Sequence, residues 1–409
     1  MTTRARVLIA GLLLVSALTL AFATAYRSEI ARVYEVVFLF EPERIARNFR
    51  SMEGMFQTVP VRHGPLTSQL TAAPRKLPAG YEYKGQNKGV SSFLRDTWTT
   101  GLIVLQDGKV AHESYFLGNT SESKAISWSV AKSFISALVG IAVAEGRIKD
   151  IRQPVDDYVP ALKGSGYEGV SIKDVMQMSS GIRFNEDYDD FFSDINRLGR
   201  AIALGSSLDA FVASLKRERT PGRFHHYVSM DTQVLGMVLR AATGETLAAY
   251  LESRIWRPLG MESDAYWLVD GSGMELAFGG LNAVLRDYAR LGQLYLNEGA
   301  WQGKQIVPAA WVRASVTPDA PHLQPGNPAS NWVLGYGYQW WIPQQPDGDY
   351  LAIGVYGQFV YVDPKRRIVI AKTSAYPNYN IDGADKELET IALFRAMARH
   401  MSALATRTN

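Results

Sequence analysis

The chain has 409 residues, 47% hydrophobic and 20% charged, enough to bury a large core arranged in two lobes. A net charge of +3 is too small to imply nucleic-acid binding. With no cysteine there is no disulfide framework, thiolate metal site or cysteine nucleophile, and the six histidines form no His-Glu-x-x-His pattern, which argues against a zinc enzyme.

Residues 1–26 differ in kind from the rest. Arg4 and Arg6 precede an uncharged run from Val7 to Tyr26 that is long enough to cross a bilayer, and they predict a cytoplasmic N-terminus. Ala21-Phe-Ala23 and Ala23-Thr-Ala25 also offer small-residue cleavage sites, so a retained anchor, preferred here, and a cleaved signal peptide both stay open. Either one places the body of the protein outside the cytoplasm, in a periplasm or at the cell surface.

Residues 27–94 read as a collar and linker. An apolar patch (Val33, Tyr34, Val36 to Phe40) leads into a short helix begun by Pro42, and residues 60–97, rich in Pro and Gly, read as extended loop. A main domain is expected over 95–405. It opens with two strand-like runs, Thr99 to Gln106 and Lys109 to Phe116, joined by Asp107-Gly108, a hairpin signal.

The stretch from Ile126 to Gly146 follows, and the rest of the chain is organised around it. Phe134, Ile135, Leu138, Val139, Ile141, Ala142 and Val143 cover most of a helical circumference, which predicts a buried helix, with Gly146 as its stop. Ser129 and Lys132 stand three residues apart near its start and therefore on one face. A serine hydroxyl needs a base to become a nucleophile, and a lysine partly removed from water can be that base at the positive end of a helix. The spacing alone is a weak signal, because a capping serine and a snorkelling lysine give the same letters. Ser121-Glu-Ser-Lys124 also matches, but leads into no apolar helix and reads as loop.

Farther along, Ser171 caps a predicted helix ending at Gly181, and residues 182–222 are polar and aromatic, with Asn185 to Phe192 reading as a surface loop. Helices are expected over 227–243, closed by Gly244, and over 247–256, 282–297, 308–316 and 384–403. Strands are expected over 335–341, 350–355, 359–362 and 368–374. The fold class is therefore α+β: an antiparallel sheet built from residues 95–127 and 330–405, flanked by helices, with a mainly helical lobe inserted at about 128–329.

Five phrases in this order, Ser127-Trp-Ser-Val-Ala-Lys-Ser-Phe134, Phe184-Asn-Glu-Asp-Tyr188, Tyr227-Val-Ser-Met-Asp-Thr232, Tyr338-Gln-Trp-Trp341 and Val355-Tyr-Gly-Gln358 with Val362-Asp-Pro364, resemble the serine β-lactamase and penicillin-binding-protein superfamily. Within it the chain most resembles the 6-aminohexanoate-dimer hydrolase branch, relatives of class C β-lactamases and of esterases with the same fold. The resemblance covers about residues 95–400 and implies a β-lactamase/transpeptidase-like fold.

It also implies roles. Ser129 would attack a carbonyl carbon, Lys132 would accept its proton and Tyr227 would protonate the leaving group. Ser229 takes a position that is often Asn in β-lactamases. The backbone NH groups of Ser129 and Val355 would hold the oxyanion, with Gly354 letting substrate lie close to the strand and Gln358 beside it. Tyr188 matches a loop tyrosine that covers substrate, whereas an ordinary exposed aromatic would look the same. Where β-lactamases carry Lys-Thr-Gly, this chain has Ala352-Ile-Gly354, with no cation for a β-lactam carboxylate, so efficient penicillin hydrolysis is not expected. Tyr356 stands where the branch usually has His. Tyr376-Pro-Asn378 is a rival to the tyrosine motif that lacks a following helix, and His225, His226, Trp340 and Trp341 read as packing residues.

The expectation is a serine hydrolase that forms an acyl-enzyme on Ser129 and cleaves a small ester or a linear amide, the ester being the easier. A peptidoglycan DD-peptidase and a catalytically silent binding protein of the same fold are the alternatives; intact Ser129, Lys132 and Tyr227 argue against the second. No motif implies a metal or organic cofactor. The expected partners are a small-molecule substrate and, if residues 7–26 are uncleaved, a membrane; the oligomeric state is left open.

Overall fold

Asp107 and Gly108 turn with φ of 49° and 75°, the pair of left-handed residues that a tight hairpin requires. They join β1 (Thr99–Gln106) to β2 (Lys109–Tyr115). Five strands from the other end of the chain complete the sheet: β3 (Gly335–Tyr336), β4 (Trp341–Ile342), β5 (Tyr350–Gly354), β6 (Gln358–Asp363) and β7 (Ile368–Ser374). Their order is β3-β4-β5-β6-β7-β1-β2, antiparallel throughout. Every residue of β1, β5, β6 and β7 is buried, as expected for central strands covered on both faces.

The computed structural model describes residues 3–345 and 347–408; Met1 and Thr2, the start of the expected membrane segment, lie outside the described residues. Helix α1 (Thr3–Ala25) contains a portion, Leu8–Ala25, that is long and apolar enough to cross a membrane and is not buried. The collar follows as α2 (Arg27–Val37) and α3 (Pro42–Asn48). Helix α4 (Ala131–Ala144) is the expected central helix, buried from Ala131 to Ala142. Helix α5 spans Asp194–Ala203, and α6 (Ser229–Thr243) packs against α4 and stops at Gly244, whose φ is 74°. Helix α7 (Leu285–Leu296) covers one face of the sheet. Helix α8 (Tyr379–Thr408), kinked at Asp382, covers the other through Phe394, whose ring lies 5.6 Å from Phe359 and 5.5 Å from Tyr361.

The structure departs from the sequence reading in four places. Residues 60–97 are not one extended loop. Thr58–Val61 is the edge strand of a second, four-stranded sheet, paired with Ala265–Leu268, and Pro60 is tolerated because the strand is at the edge. Gly80–Tyr83 and Gln86–Gly89 form a hairpin, and Val90–Asp96 a helix.

Residues 185–192 form the expected loop, but the rest of 182–222, where the sequence names no element, holds α5 and a second helix, Leu208–Ser214, each started by a serine whose hydroxyl accepts a backbone NH, Ser193 from Asn196 and Ser207 from Ala210. The helix after Ser171 stops at Met176 rather than at Gly181, because Met178 takes a left-handed φ of 51°. The expected strand 335–341 is broken between β3 and β4 by Gln339, with φ 61°; its buried side chain donates to the Met176 carbonyl and accepts from Thr232.

The collar is part of the core. Leu39, Ile45, Phe49 and Met52 are buried in it, and the Asn48 amide donates to the carbonyls of Phe38 and Leu39.

Candidate active site

Helix α4 does not begin at Ser129. The serine lies in a 3-10 turn, Trp128–Val130, and Trp128 before it holds a left-handed φ of 42°. Residues kept in such sparsely populated backbone conformations persist only when their surroundings enforce them. Here the enforcement is aromatic: Trp128 meets Phe49 at 5.4 Å and Phe40 at 5.9 Å, both from the collar.

One turn into α4, Lys132 is buried, and its Nζ donates to Ser129 Oγ (2.7 Å), the Phe278 carbonyl (2.8 Å) and Ser229 Oγ (3.3 Å). Burial lowers its pKa to about 7, while the charge of Glu186 acts in the opposite direction. A large fraction of this amine is therefore neutral near neutral pH and able to take a proton from the hydroxyl it touches.

Tyr227 comes from the residues just before α6. Its ring centroid is 5.0 Å from Lys132 Nζ, and the ring stacks on Trp341 at 5.5 Å and 22°. Burial and then the charge of Glu186 hold its phenol well above the usual range, so it stays protonated, while the Ser129 hydroxyl pulls the other way. Hydroxyl, amine and phenol thus meet at one cleft.

The end of β5 closes against the serine. A Cβ on Gly354 would lie 2.5 Å from the Ser127 carbonyl oxygen and 3.1 Å from the Ser129 nitrogen, so only glycine permits this approach. Val355 and Ser129 line both of the cavities that meet there. Tyr356 has φ of 62° and stacks on Phe40 at 4.9 Å and 15°.

Gln358 corrects the sequence expectation. It is buried away from both cavities, its amide donating to the carbonyls of Ser374 (2.7 Å) and Val355 (3.3 Å) and accepting from the Ser374 NH (3.1 Å). It pins the backbone of the β5–β6 turn and offers nothing to a ligand.

Ser229 accepts from Lys132 and gives its own hydroxyl to Glu186 (2.5 Å). Tyr188 lines both cavities, donates to Glu186 (3.1 Å) and meets Tyr379 edge-on at 6.5 Å. His225 packs among aromatics, 4.9 Å from Tyr336 and 5.7 Å from Trp341, and burial pushes its pKa down to about 3. Tyr376 turns away to Asp382 and Lys124 lies over Tyr266, so neither rival motif reaches the site.

Sequence reasoning passed over Glu186. Its carboxylate accepts from both the NH (3.0 Å) and the hydroxyl of Ser229, at the positive start of α6. The signal was present, since Glu186 belongs to the same phrase that supplied Tyr188. Glu387 on α8 was also missed; burial raises its pKa to about 7, against the hydrogen bond from Tyr379.

The two cavities differ in character. One, of about 370 Å³, is acidic, with Glu186, Asp187, Asp189 and Glu387 beside Tyr227 on its walls. The other, of about 220 Å³, is mainly apolar.

Fold and cleft together define a β-lactamase/transpeptidase-like enzyme class. The chain belongs to the Beta-lactamase family, whose model matches residues 84–392. It is 32% identical over 294 residues to a 6-aminohexanoate-dimer hydrolase of Paenarthrobacter ureafaciens, covering 70% of this chain and 74% of that one. A solved structure from Bacillus anthracis, proposed to be a 6-aminohexanoate-dimer hydrolase, superposes with a TM-score of 0.79 at 25% identity, over 89% of this chain and 96% of that one. EstCE1, a hydrolase with promiscuous acyltransferase activity, shares the fold with a TM-score of 0.60 at 15% identity, over 75% of this chain and 96% of that one. The chain is a hydrolase of the β-lactamase fold.

Proposed function

We propose that this hydrolase is a serine enzyme that forms an acyl-enzyme on Ser129 and cleaves a small ester or a linear amide. The observation that carries this is the buried Lys132 amine, 2.7 Å from the Ser129 hydroxyl, with its pKa lowered to about 7 by burial. Lys132 Nζ takes the hydroxyl proton as Oγ bonds to the carbonyl carbon, and the charge that develops on the carbonyl oxygen falls to the NH groups of Ser129 and Val355. The bond to the leaving group then breaks as the Tyr227 phenol gives it a proton, and the phenol regains one from the Lys132 ammonium. A water attacks the acyl-enzyme by the reverse sequence and frees the acid. Neutral esters need less help at the leaving group than amides, so ester turnover is expected to be the faster.

The acidic cavity argues against a DD-peptidase. That substrate presents a terminal carboxylate, which would meet Glu186, Asp187, Asp189 and Glu387, and no Lys or Arg lines this cavity among the described residues. Leu8–Ala25 supports attachment to a membrane with the hydrolase body outside the cytoplasm. Labelling with a fluorescent fluorophosphonate tests the nucleophile: the natural chain should label and Ser129→Ala should not. Equal labelling of the two, or none of either, removes Ser129 as the nucleophile.

A further inference from the structure

The apolar cavity has no part in the chemistry just described, yet it opens at the same serine. Its walls include Leu39 and Phe40 of the collar, Ile195, Leu198 and Ile202 of α5, and Phe278. Ser129 and Val355 line both cavities, so a carbonyl held between them sits at the junction. Tyr227 lines the acidic cavity and not the apolar one. A leaving group protonated by Tyr227 therefore departs on the acidic side, and the acyl group has to point the other way.

We propose that the apolar cavity is the acyl-chain subsite, taking a straight aliphatic acyl group whose carbonyl sits at Ser129 and whose tail runs between the collar and α5. This rests on the reading of Ser129 as the nucleophile. An apolar cavity of 150 Å³ holds benzene, so 220 Å³ accommodates about six to eight carbons. The substrate class that follows is a medium-chain acyl ester or amide. Its wall residues Leu39 and Phe40 come from the collar that follows the apolar helix ending at Ala25, so an amphipathic substrate gathered at a membrane surface would arrive at an opening built by the same segment.

Turnover of p-nitrophenyl esters from acetate to dodecanoate by the full chain in detergent tests this. The expected kcat/KM rises about threefold per methylene to six or eight carbons and then falls. A Cβ at Gly199 would meet no atom within 4 Å, so Gly199→Phe extends into open space; it should lower the octanoate-to-acetate ratio at least tenfold. Ile202→Ala should move the optimum to longer chains. A flat or acetate-preferring profile, or ratios unmoved by both variants, overturns the subsite even though Ser129 labels and turns over. Should Ser129 neither label nor turn over any ester, the nucleophile reading falls, and octanamide, an uncharged probe, titrated calorimetrically into Ser129→Ala decides the cavity alone. Saturable binding that Gly199→Phe abolishes supports the subsite, and no binding overturns it.

Discussion

The ring of Trp128 lies 6.2 Å from that of Tyr356, and these two residues hold left-handed backbone, φ 42° and 62°, beside Ser129 on one side and Gly354 and Val355 on the other. Strain of this kind costs on the order of 1–3 kcal/mol per residue and has to be offset by packing. Phe40 and Phe49 supply that packing: Phe49 meets both rings at 5.4 Å.

Loosening this clamp should therefore cost rate before it costs substrate affinity. Phe49→Leu is expected to lower kcat for a p-nitrophenyl ester about tenfold, a loss of about 1.4 kcal/mol in the transition state, with KM nearly unchanged. Steady-state kinetics, with near-UV circular dichroism to show a native fold, checks this. An unchanged kcat would separate the collar from the chemistry.

On the proposed mechanism only neutral Lys132 is a base, so kcat/KM should rise with pH through about 7 along a single-proton limb. The negative charge of Glu186 favours the protonated amine. Glu186→Gln removes that charge and should shift the limb to lower pH, and Lys132→Ala should lower acylation by roughly a hundredfold to ten-thousandfold. A pH profile of ester turnover reads all three; a limb that Glu186→Gln moves upward contradicts the electrostatics.

Gly354→Ala tests the close approach of β5 to the serine. The added Cβ would stand 2.5 Å from the Ser127 carbonyl oxygen, closer than carbon and oxygen pack, so either the strand or the serine turn must move. A displacement of this size should cost about a hundredfold or more in kcat. Fluorophosphonate labelling rates report it directly, and wild-type rates would show that the strand end yields freely.

Lys372 on β7 is a second buried amine, outside the proposed chemistry. Burial lowers its pKa from 10.5 to about 7, and it donates to Ser374 Oγ and, at 3.4 Å, to the Gly357 carbonyl. Between those two pH values the unfolded chain binds a proton that the folded one does not, so this group makes stability rise with pH from about 7 to 10.5. Lys372→Met should raise the melting temperature more at pH 6 than at pH 9. Thermal melts at both values check this, and an equal change at both pH values would rule out a neutralised lysine here.

Periodicity made the framework legible. The uninterrupted apolar run of α4, the Asp107-Gly108 hairpin, the late strands and Gly244 at the end of α6 each carry a local signal, because burial on all sides or a left-handed turn restricts which residues can stand there. Residues 58–61 and 194–203 escaped for the opposite reason. Their structure depends on partners far along the chain, Ala265–Leu268 for the strand, and for α5 the collar helix it packs against.

The site divides in the same way. By itself the sequence determined which residue types could perform acyl transfer, since a hydroxyl, an amine and a phenol in this motif order are properties of the letters. Only the tertiary structure decided their surroundings: that Lys132 is dry enough to be part-neutral, that the Gln358 amide is spent on its own backbone, that Glu186 stands over Ser229, and that the collar walls a cavity at Ser129. Desolvation and charge proximity arise from segments brought together in space, and no local pattern encodes them.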